Sequence, residues 1–296
     1  MRVLILGGNG QVGHELQRVY EGRAEVVAFD RGGLDLSHPD AVAARVVDIR
    51  PDVILNAAAY TAVDRAETDE ATARLINADA VAALAGAARR LGSLIVHYST
   101  DYVFDGTKAD PYTEDDAPCP LNAYGRSKLA GEQALAASGA DHLCLRTSWV
   151  YATRGRNFLL TMLRLADERP SLRVVDDQQG APTWARTIAE ATVSLVSSCL
   201  PRERRAALCG LYHLAARGTT TWYGFAHEIM RLRSAGGLPA PHVEPISSDE
   251  YVTPARRPAN SRLDVGRIER RFGIALPDWR SALAAAFGDL ASQRPA

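Results

Sequence analysis

Short apolar runs alternate with longer amphipathic stretches through the first half of the chain. Residues 2–6 form an apolar run that ends in glycines, which predicts a buried parallel strand. A helical pattern follows over 11–20, then a strand over 25–29 ending at Asp30, a helix over 40–49 and a third strand over 52–55. Residues 71–91, rich in alanine and free of proline, predict one long helix. A fourth strand is expected over 94–98, running into Ser99-Thr100-Asp101. A proline- and acid-rich loop spans 111–120, a helix follows it, and 142–145 predict a fifth strand leading to Thr147-Ser-Trp149. Strands alternating with helices at this spacing imply an α/β fold with a doubly wound parallel sheet.

Beyond Trp149 the pattern loosens. A helix is expected over 157–166, a short strand over 172–175, a turn over 178–182, a helix over 187–200 and a strand over 210–214 returning to the main sheet. Residues 236–258 hold five prolines and little periodicity. The expected organisation is a first domain over 1–148, rejoined by 210–232, and a smaller, less regular C-terminal substrate lobe over 149–296.

Composition narrows the partners. A net charge of −1 supplies no field for gathering nucleic acid or an anionic membrane. The opening run Val3-Leu-Ile-Leu6 is too short for a signal-peptide core or a membrane span. Cys119, Cys144, Cys199 and Cys209 include no C-x-x-C pair, which argues for a reducing compartment with neither disulfide framework nor zinc knuckle. The expectation is a cytoplasmic protein.

Gly7-Gly-Asn-Gly-Gln-Val-Gly13 falls between the first expected strand and the first helix. There the glycines allow a tight turn and close backbone approach, and the helix N-terminus attracts a pyrophosphate. The stretch predicts a dinucleotide site on a Rossmann-type sheet. Asp30 closes the second strand, where a carboxylate can bond the ribose hydroxyls of NADH. Arg31 beside it suits the 2′-phosphate of NADPH, so both cofactors stay open. Asp35-Leu36 is expected beside the adenine.

Tyr124-Gly-Arg-Ser-Lys128 supplies the candidate chemistry. On a helix its first and last residues stand one turn apart on one face. An ammonium beside a phenol favours the phenolate and so is expected to lower its pKa from about 10. A phenol tuned this way can exchange a proton with a sugar or alcohol oxygen. The chain has only two lysines, Lys108 and Lys128, and writes its other positive charges as arginine, which cannot replace a compact, retunable ammonium.

With both motifs in place the chain resembles the extended short-chain dehydrogenase/reductases, and within them the dTDP-4-dehydrorhamnose reductase family. The resemblance rests on Gly10-Gln-Val-Gly13, Asn56-Ala-Ala-Ala-Tyr-Thr-Ala-Val-Asp64 and His97-Tyr-Ser-Thr-Asp-Tyr-Val-Phe-Asp-Gly106. It continues through Tyr124-Gly-Arg-Ser-Lys-Leu-Ala-Gly-Glu132, Arg146-Thr-Ser-Trp-Val-Tyr151, Gln179-Gly-Ala-Pro-Thr183 and Gly210-Leu-Tyr-His213. Arg256-Arg-Pro-Ala-Asn-Ser-Arg-Leu263 and Leu276-Pro-Asp-Trp279 complete it.

The resemblance implies reduction of the C4 keto group of a dTDP-linked sugar. Thr100, Tyr124 and Lys128 would form the catalytic trio, Thr100 bonding the carbonyl, Tyr124 protonating it and Lys128 holding the nicotinamide ribose. Gly7, Gly10, Gln11, Val12, Gly13, Asp30, Arg31, Asp35, Leu36, Ala57, Ala59, Tyr60, Thr61 and Tyr98 would line the cofactor together with Tyr124 and Lys128. Thr61, Thr100, Asp101, Trp149 and Arg257 would meet the substrate: Asp101 on the sugar, Trp149 with a flat face to the thymine, Arg257 on the diphosphate. Members of this family can form a Mg2+-bridged homodimer through glutamates. Glu15 matches one ligand, Arg186 stands where another aligns, and the C-terminal tail offers no clear third.

Other chemistries fit less well. Sugar-nucleotide 4,6-dehydratases usually carry Asp-Glu after the threonine, whereas Asp101-Tyr102 follows Thr100 here and a second carboxylate is missing. An epimerase retains its nucleotide, which the sequence does not address. A related animal protein is a regulatory partner of methionine adenosyltransferase, but Thr100, Tyr124 and Lys128 are all present here and favour an enzyme. His227-Glu-Ile-Met-Arg231 lacks the second histidine of a zinc protease, and Gly125-Arg-Ser-Lys-Leu129 lacks the last glycine of a nucleophile elbow.

Overall fold

The computed structural model describes residues 1–292. Five parallel strands alternate with helices through the first half: β1 (Arg2–Leu6), α1 (Gln11–Tyr20), β2 (Glu25–Phe29), α2 (Pro39–Ile49), β3 (Val53–Asn56), α3 (Val63–Ala66), α4 (Glu70–Arg74), α5 (Ala80–Leu91), β4 (Leu94–Thr100), α6 (Ala123–Ala137) and β5 (His142–Thr147). The second half adds β6 (Val150–Tyr151), α7 (Phe158–Glu168), β7 (Ser171–Val175), β8 (Gln179–Gly180), β9 (Thr183–Trp184), α8 (Ala185–Cys199), α9 (Arg202–Leu208), β10 (Gly210–His213), β11 (Thr220–Thr221), α10 (Trp222–Ala235), β12 (His242–Ile246), α11 (Gly266–Phe272) and α12 (Trp279–Ser292). The main sheet has six strands in the order β10-β5-β4-β3-β1-β2, all parallel.

Both faces of that sheet are covered, as its continuous apolar strands require. Alternation along β1 sends Val3 and Ile5 into a core under α1 and α8, with Leu16, Tyr20, Ile188 and Leu195. Leu4 and Leu6 face the other way, into a core with Val42 and Val46 of α2 and Val81 and Leu84 of α5. A third core of Tyr151, Leu159, Trp184, Phe225, Ile229, Trp279 and Leu283 holds the C-terminal lobe together.

The chain crosses between these units once where its pattern announces it and at two helices where it does not. Residues 210–213 join the main sheet beside β5. Helix α8, expected in the second lobe, packs on α1 against the sheet, whereas α10 places Phe225 and Ile229 in the third core.

The helix expected over 71–91 is interrupted. Between α4 and α5 the turn Leu75–Asp79 is a π-helix, a distortion common at functional sites. Asn77 in this turn is buried and gives its amide to the Tyr60 carbonyl at 3.0 Å and to the Ser127 hydroxyl at 2.9 Å, while its own carbonyl accepts from Tyr60 N at 2.8 Å. Helix α6 approaches so closely that a Cβ on Gly131 would overlap the Asn77 backbone carbonyl.

The strand order reverses between β1 and β3, and in open α/β sheets ligands bind at such a switch point, beyond the carboxyl ends of the strands. Gly7 follows β1 with φ of 80°, and a Cβ there would lie 2.8 Å from Ala58 N in the loop after β3. A Cβ on Gly13 would overlap the Gly7 carbonyl. The loop after β1 can therefore be this tight only with these glycines.

Candidate active site

The first layer is an anion cradle. Gly10 precedes α1 with no side chain capping the helix, which leaves the amides of Gln11 and Val12 at the positive end of its dipole. Asp30 stands just past β2, its carboxylate accepting from Gly33 N at 3.0 Å and from the Asn9 amide. Arg31 is exposed and pairs loosely with Asp35 at 3.5 Å. The amide of Ser37, foremost, and Arg31 hold the Asp35 carboxyl below its ordinary range. Leu36 is buried in the core behind this loop. Ala57, Ala59, Tyr60 and Thr61 follow β3 on the other side of the crevice, with the Tyr60 hydroxyl on Asp69 at 3.0 Å. A glycine turn closed to any side chain, an uncapped helix start and a carboxylate at the end of β2 fit a dinucleotide.

The second layer gathers the three expected catalytic residues. Thr100 ends β4, and Tyr124 and Lys128 lie on the first turns of α6, whose start Asn122 caps by accepting from Gly125 N at 2.8 Å. The same Asn122 donates to the Arg256 carbonyl at 2.8 Å, joining this helix to the loop of the second lobe. Asn77 fixes the helix from behind through Ser127, whose hydroxyl donates to the Tyr124 carbonyl at 2.7 Å. Glu132 and Arg146 pin it to β5 by a buried bidentate pair at 2.6 and 2.9 Å.

The electrostatics correct one expectation. Burial pushes the Tyr124 phenol up to about 12, a bond from Thr100 partly offsets this, and Asp101 adds to the rise. The Lys128 ammonium is drawn elsewhere: it is 1 % exposed, donates to the Tyr98 carbonyl at 2.7 Å and stands 3.1 Å from His97 Nε2. Desolvation lowers Lys128 to about 8. The phenol is thus a neutral acid at physiological pH, not a group tuned downward, because removing it from water outweighs the charges around it. Tyr98 offers the site its carbonyl; its ring lies in the core, with the hydroxyl 2.8 Å from Thr192.

Asp101 is buried at 2 % exposure and accepts from the Thr100 hydroxyl at 2.9 Å, while its second oxygen has no hydrogen-bond partner among the described residues. Burial raises it to about 7. Tyr102, at the position of the missing second carboxylate, sets its ring edge-on to Tyr124 at 5.7 Å.

On the substrate side two expectations change. Trp149 sits at φ of 48°, rare for a bulky residue, and its indole stacks on Trp222 with centroids 3.6 Å apart. One of the two flat faces of the indole is therefore covered by Trp222, a neighbour 73 residues away (222 minus 149) that no local pattern announces. The indole nitrogen donates to Ser261 at 3.0 Å, and a Cβ on Gly180 would overlap the ring. Arg257 is held rather than free: its guanidinium pairs with Asp64 at 3.0 Å and bonds the Thr253 hydroxyl. Asp64 had no role in the sequence reading, although it closes the motif that begins at Asn56.

Glu15 does not fit a metal ligand. It is 1 % exposed, and the Arg186 guanidinium bonds its carboxylate directly while reaching Asp289 at 3.2 Å. Arg18 stands 3.5 Å from Glu15 and 4.0 Å from Asp289, and Thr153 donates to Asp289 at 2.8 Å. A guanidinium occupies the place between the two carboxylates that a divalent cation would need. Among the described residues no group of three or more His, Cys, Asp and Glu side chains could hold a metal.

Comparison with known proteins agrees with this geometry. The family model described as the RmlD substrate binding domain matches residues 1–292. A dTDP-4-dehydrorhamnose reductase of Burkholderia thailandensis is 51 % identical, over 99 % of this chain and 100 % of that protein. The crystal structure of a dTDP-4-dehydrorhamnose reductase from Clostridium acetobutylicum superposes with a TM-score of 0.91 at 36 % identity, covering 98 % of this chain and 100 % of that one. A Bacillus anthracis dTDP-4-dehydrorhamnose reductase, solved in complex with NADP, gives 0.90 at 35 %, covering 97 % and 99 %. With the fold, the glycine cradle and the Thr100–Tyr124–Lys128 cluster in place, this match over nearly the whole chain shows that it belongs to the dTDP-4-dehydrorhamnose reductase family.

Proposed function

We propose that the chain reduces the C4 keto group of dTDP-4-dehydro-L-rhamnose to give dTDP-L-rhamnose, in the cytoplasm, with NADPH or NADH. The observation that carries this reading is the convergence of Thr100, Tyr124 and Lys128 where β4 and α6 meet, beside the glycine cradle. A nicotinamide dinucleotide bound with its pyrophosphate in that cradle would supply the hydride. The Gln11 and Val12 amides would hold its pyrophosphate, Asp30 its adenosine ribose, and Arg31 a 2′-phosphate where one is present.

The chain's own residues handle the proton. A carbonyl gaining hydride develops negative charge on oxygen and needs a donor there. Tyr124, lifted to about 12 by burial, carries its proton at neutral pH and gives it to that oxygen. Thr100 positions the same oxygen through its hydroxyl, which is oriented by Asp101. Lys128, anchored on the Tyr98 carbonyl, presents a charge that favours the phenolate left behind and holds the cofactor ribose. Thr61, Asp101, the Trp149–Trp222 pair and Arg257 face the sugar nucleotide, with Arg257 pre-set by Asp64. One buried carboxylate at Asp101, with Tyr102 after it, supports reduction over a 4,6-elimination that needs a separate acid and base.

The test is a reduction assay across several nucleotide-linked 4-keto sugars with NADH and NADPH in parallel. Loss of nicotinamide absorbance with the dTDP-linked 4-keto-rhamnose substrate is expected. Its absence with every sugar, in folded protein that binds the nucleotide, favours the regulatory-subunit alternative.

A further inference from the structure

The face of the sheet beneath α5 and α6 is apolar near its start and turns polar toward the carboxyl ends of the strands. There Leu6, Asn56, His97 and Cys144 lie side by side on β1, β3, β4 and β5. Two of the four are strongly polar and almost fully excluded from water: Asn56 is 1 % exposed and His97 0 %. A buried imidazole and a buried amide are costly in such a place unless each is hydrogen-bonded. Their partners are Lys128 on one side, 3.1 Å from His97 Nε2, and each other, with Asn56 Nδ2 3.1 Å from His97 Nδ1.

Donor counting fixes the protonation of this row. An ammonium has donors only, so Lys128 must donate to His97 Nε2, and the ring must then carry its proton on Nδ1. That N–H needs an acceptor, and among the described residues the amide of Asn56 is the group placed to supply one. The Asn56 carbonyl oxygen has no partner as drawn, although it is buried. Turning the amide end for end, as the hydrogen-bond network requires, gives Oδ1 the His97 proton. This choice gives the His97 proton an acceptor and the buried Asn56 oxygen a donor.

We propose that His97, held by Asn56, is a positioning residue for Lys128: its Nε2 accepts from the ammonium and fixes it, with the Tyr98 carbonyl, at the point from which it serves the cofactor ribose and Tyr124. This rests on the reductase reading for its consequence, though not for its geometry. His97 stays neutral because burial, above all, and then the Lys128 charge hold it well below its ordinary value. The groups facing the pair are all accounted for. Glu132 on α6 favours the ammonium, Cys144 on β5 is a buried neutral thiol, Arg146 is neutralised by Glu132, and His142 adds a small push against protonation of His97. The imidazole is the only side chain among the described residues with a hydrogen bond to Lys128 Nζ.

The test has two arms. In the wild-type protein at pH 7, long-range nitrogen–proton NMR on histidine, with the His97 signals assigned by their loss in His97→Gln, should show the Nδ1–H form. This arm needs no turnover, so it stands even if no 4-keto sugar is reduced. In the kinetic arm, His97→Leu keeps the bulk and removes the acceptor. The expected result is a kcat at least tenfold lower, KM for the sugar nucleotide within about threefold, and an alkaline limb of the kcat profile moved to lower pH, because a neutral amine is then easier to form. Asn56→Asp should move that limb the opposite way, its carboxylate reinforcing the ammonium through the ring. His97→Gln, which retains an acceptor, should recover part of the lost kcat and serves if His97→Leu does not fold. An Nε2–H ring at pH 7, or a folded His97→Leu with wild-type kcat and pH profile, overturns the proposal and makes His97 a packing residue.

Discussion

Arg186→Glu is the sharpest perturbation the structure offers outside the cofactor crevice. Arg186 bonds Glu15, which is 1 % exposed, and Asp289 at 3.2 Å, tying α1 under the nucleotide cradle to α8 and α12. Breaking a buried pair by removing one partner costs roughly 3–5 kcal/mol. Arg18 remains 3.5 Å from Glu15 and Arg186 is itself 18 % exposed, so the lower end, about 3 kcal/mol, applies. At roughly 2–4 °C per kcal/mol for a domain of this class, the melting temperature in EDTA should fall by about 6–12 °C. The substitution also places a third carboxylate between Glu15 and Asp289, which is a set of hard oxygen ligands suited to Mg2+. Free Mg2+ at about a hundred times its dissociation constant would return about 2.7 kcal/mol, most of the loss. Arg186→Met is the control: it should lose similar stability and gain nothing from Mg2+. Thermal denaturation of the three proteins, each with EDTA and with Mg2+, reads the result. A wild-type protein destabilised by EDTA, or an Arg186→Glu variant within about 2 °C of wild type in EDTA, would show that the guanidinium does not stand in for a cation here.

Three further outcomes are expected. Tyr124→Phe keeps the ring edge against Tyr102 and removes the proton, so turnover should drop by roughly two to four orders of magnitude with nucleotide affinity largely retained; near-normal turnover refutes the acid role. Arg31→Ala should weaken NADPH more than NADH in binding titrations, since its guanidinium is exposed beside Asp35 and a 2′-phosphate would lose its cation, and equal losses would remove Arg31 from cofactor choice. Asp101 is raised from 3.8 to about 7 in the folded state, so it binds a proton there that the unfolded chain has released, and its contribution to stability is lost as pH rises from about 4 through 7. Asp101→Asn should flatten that stretch of the stability–pH curve; an unchanged slope would place the titration elsewhere.

The sheet was legible because its inner strands are buried on both faces and begin as short apolar runs. β1 and β2 keep the bounds that the pattern predicts, and the glycine loop falls between strand and helix as its spacing requires. What was not legible depends on distant partners. Composition favours one helix over 71–91, yet Asn77 opens a π turn within it to reach Tyr60 and Ser127, the latter 50 residues away. Arg257 reads as a free cation until Asp64, 193 residues earlier in the chain, is brought against it. Trp149 reads as an open platform until Trp222 covers one of its faces. The sign of the Tyr124 shift was missed for a different reason. Sequence shows which charges are near in the chain, whereas the cost of desolvation depends on everything packed around the group.

The same distinction explains why this arginine-rich chain keeps a lysine at 128. The ammonium lies at 1 % exposure between a carbonyl at 2.7 Å and an imidazole nitrogen at 3.1 Å, a space set by β4 and closed by α6. A planar guanidinium with five donors could not fill that space without leaving donors unpaired in the core. Nor could it lose charge, whereas Lys128 is lowered to about 8 and stays close to titration near neutral pH. On the proposed chemistry that closeness matters. The phenol at about 12 must give its proton to a sugar oxygen and then recover one, and a neighbouring group poised near neutrality can accept and return charge where a fixed cation cannot. Burial thus acts on the two groups with opposite sign, raising the acid and lowering the base, so that at pH 7 the site holds a neutral phenol and, one helical turn along α6, an ammonium that can let its proton go.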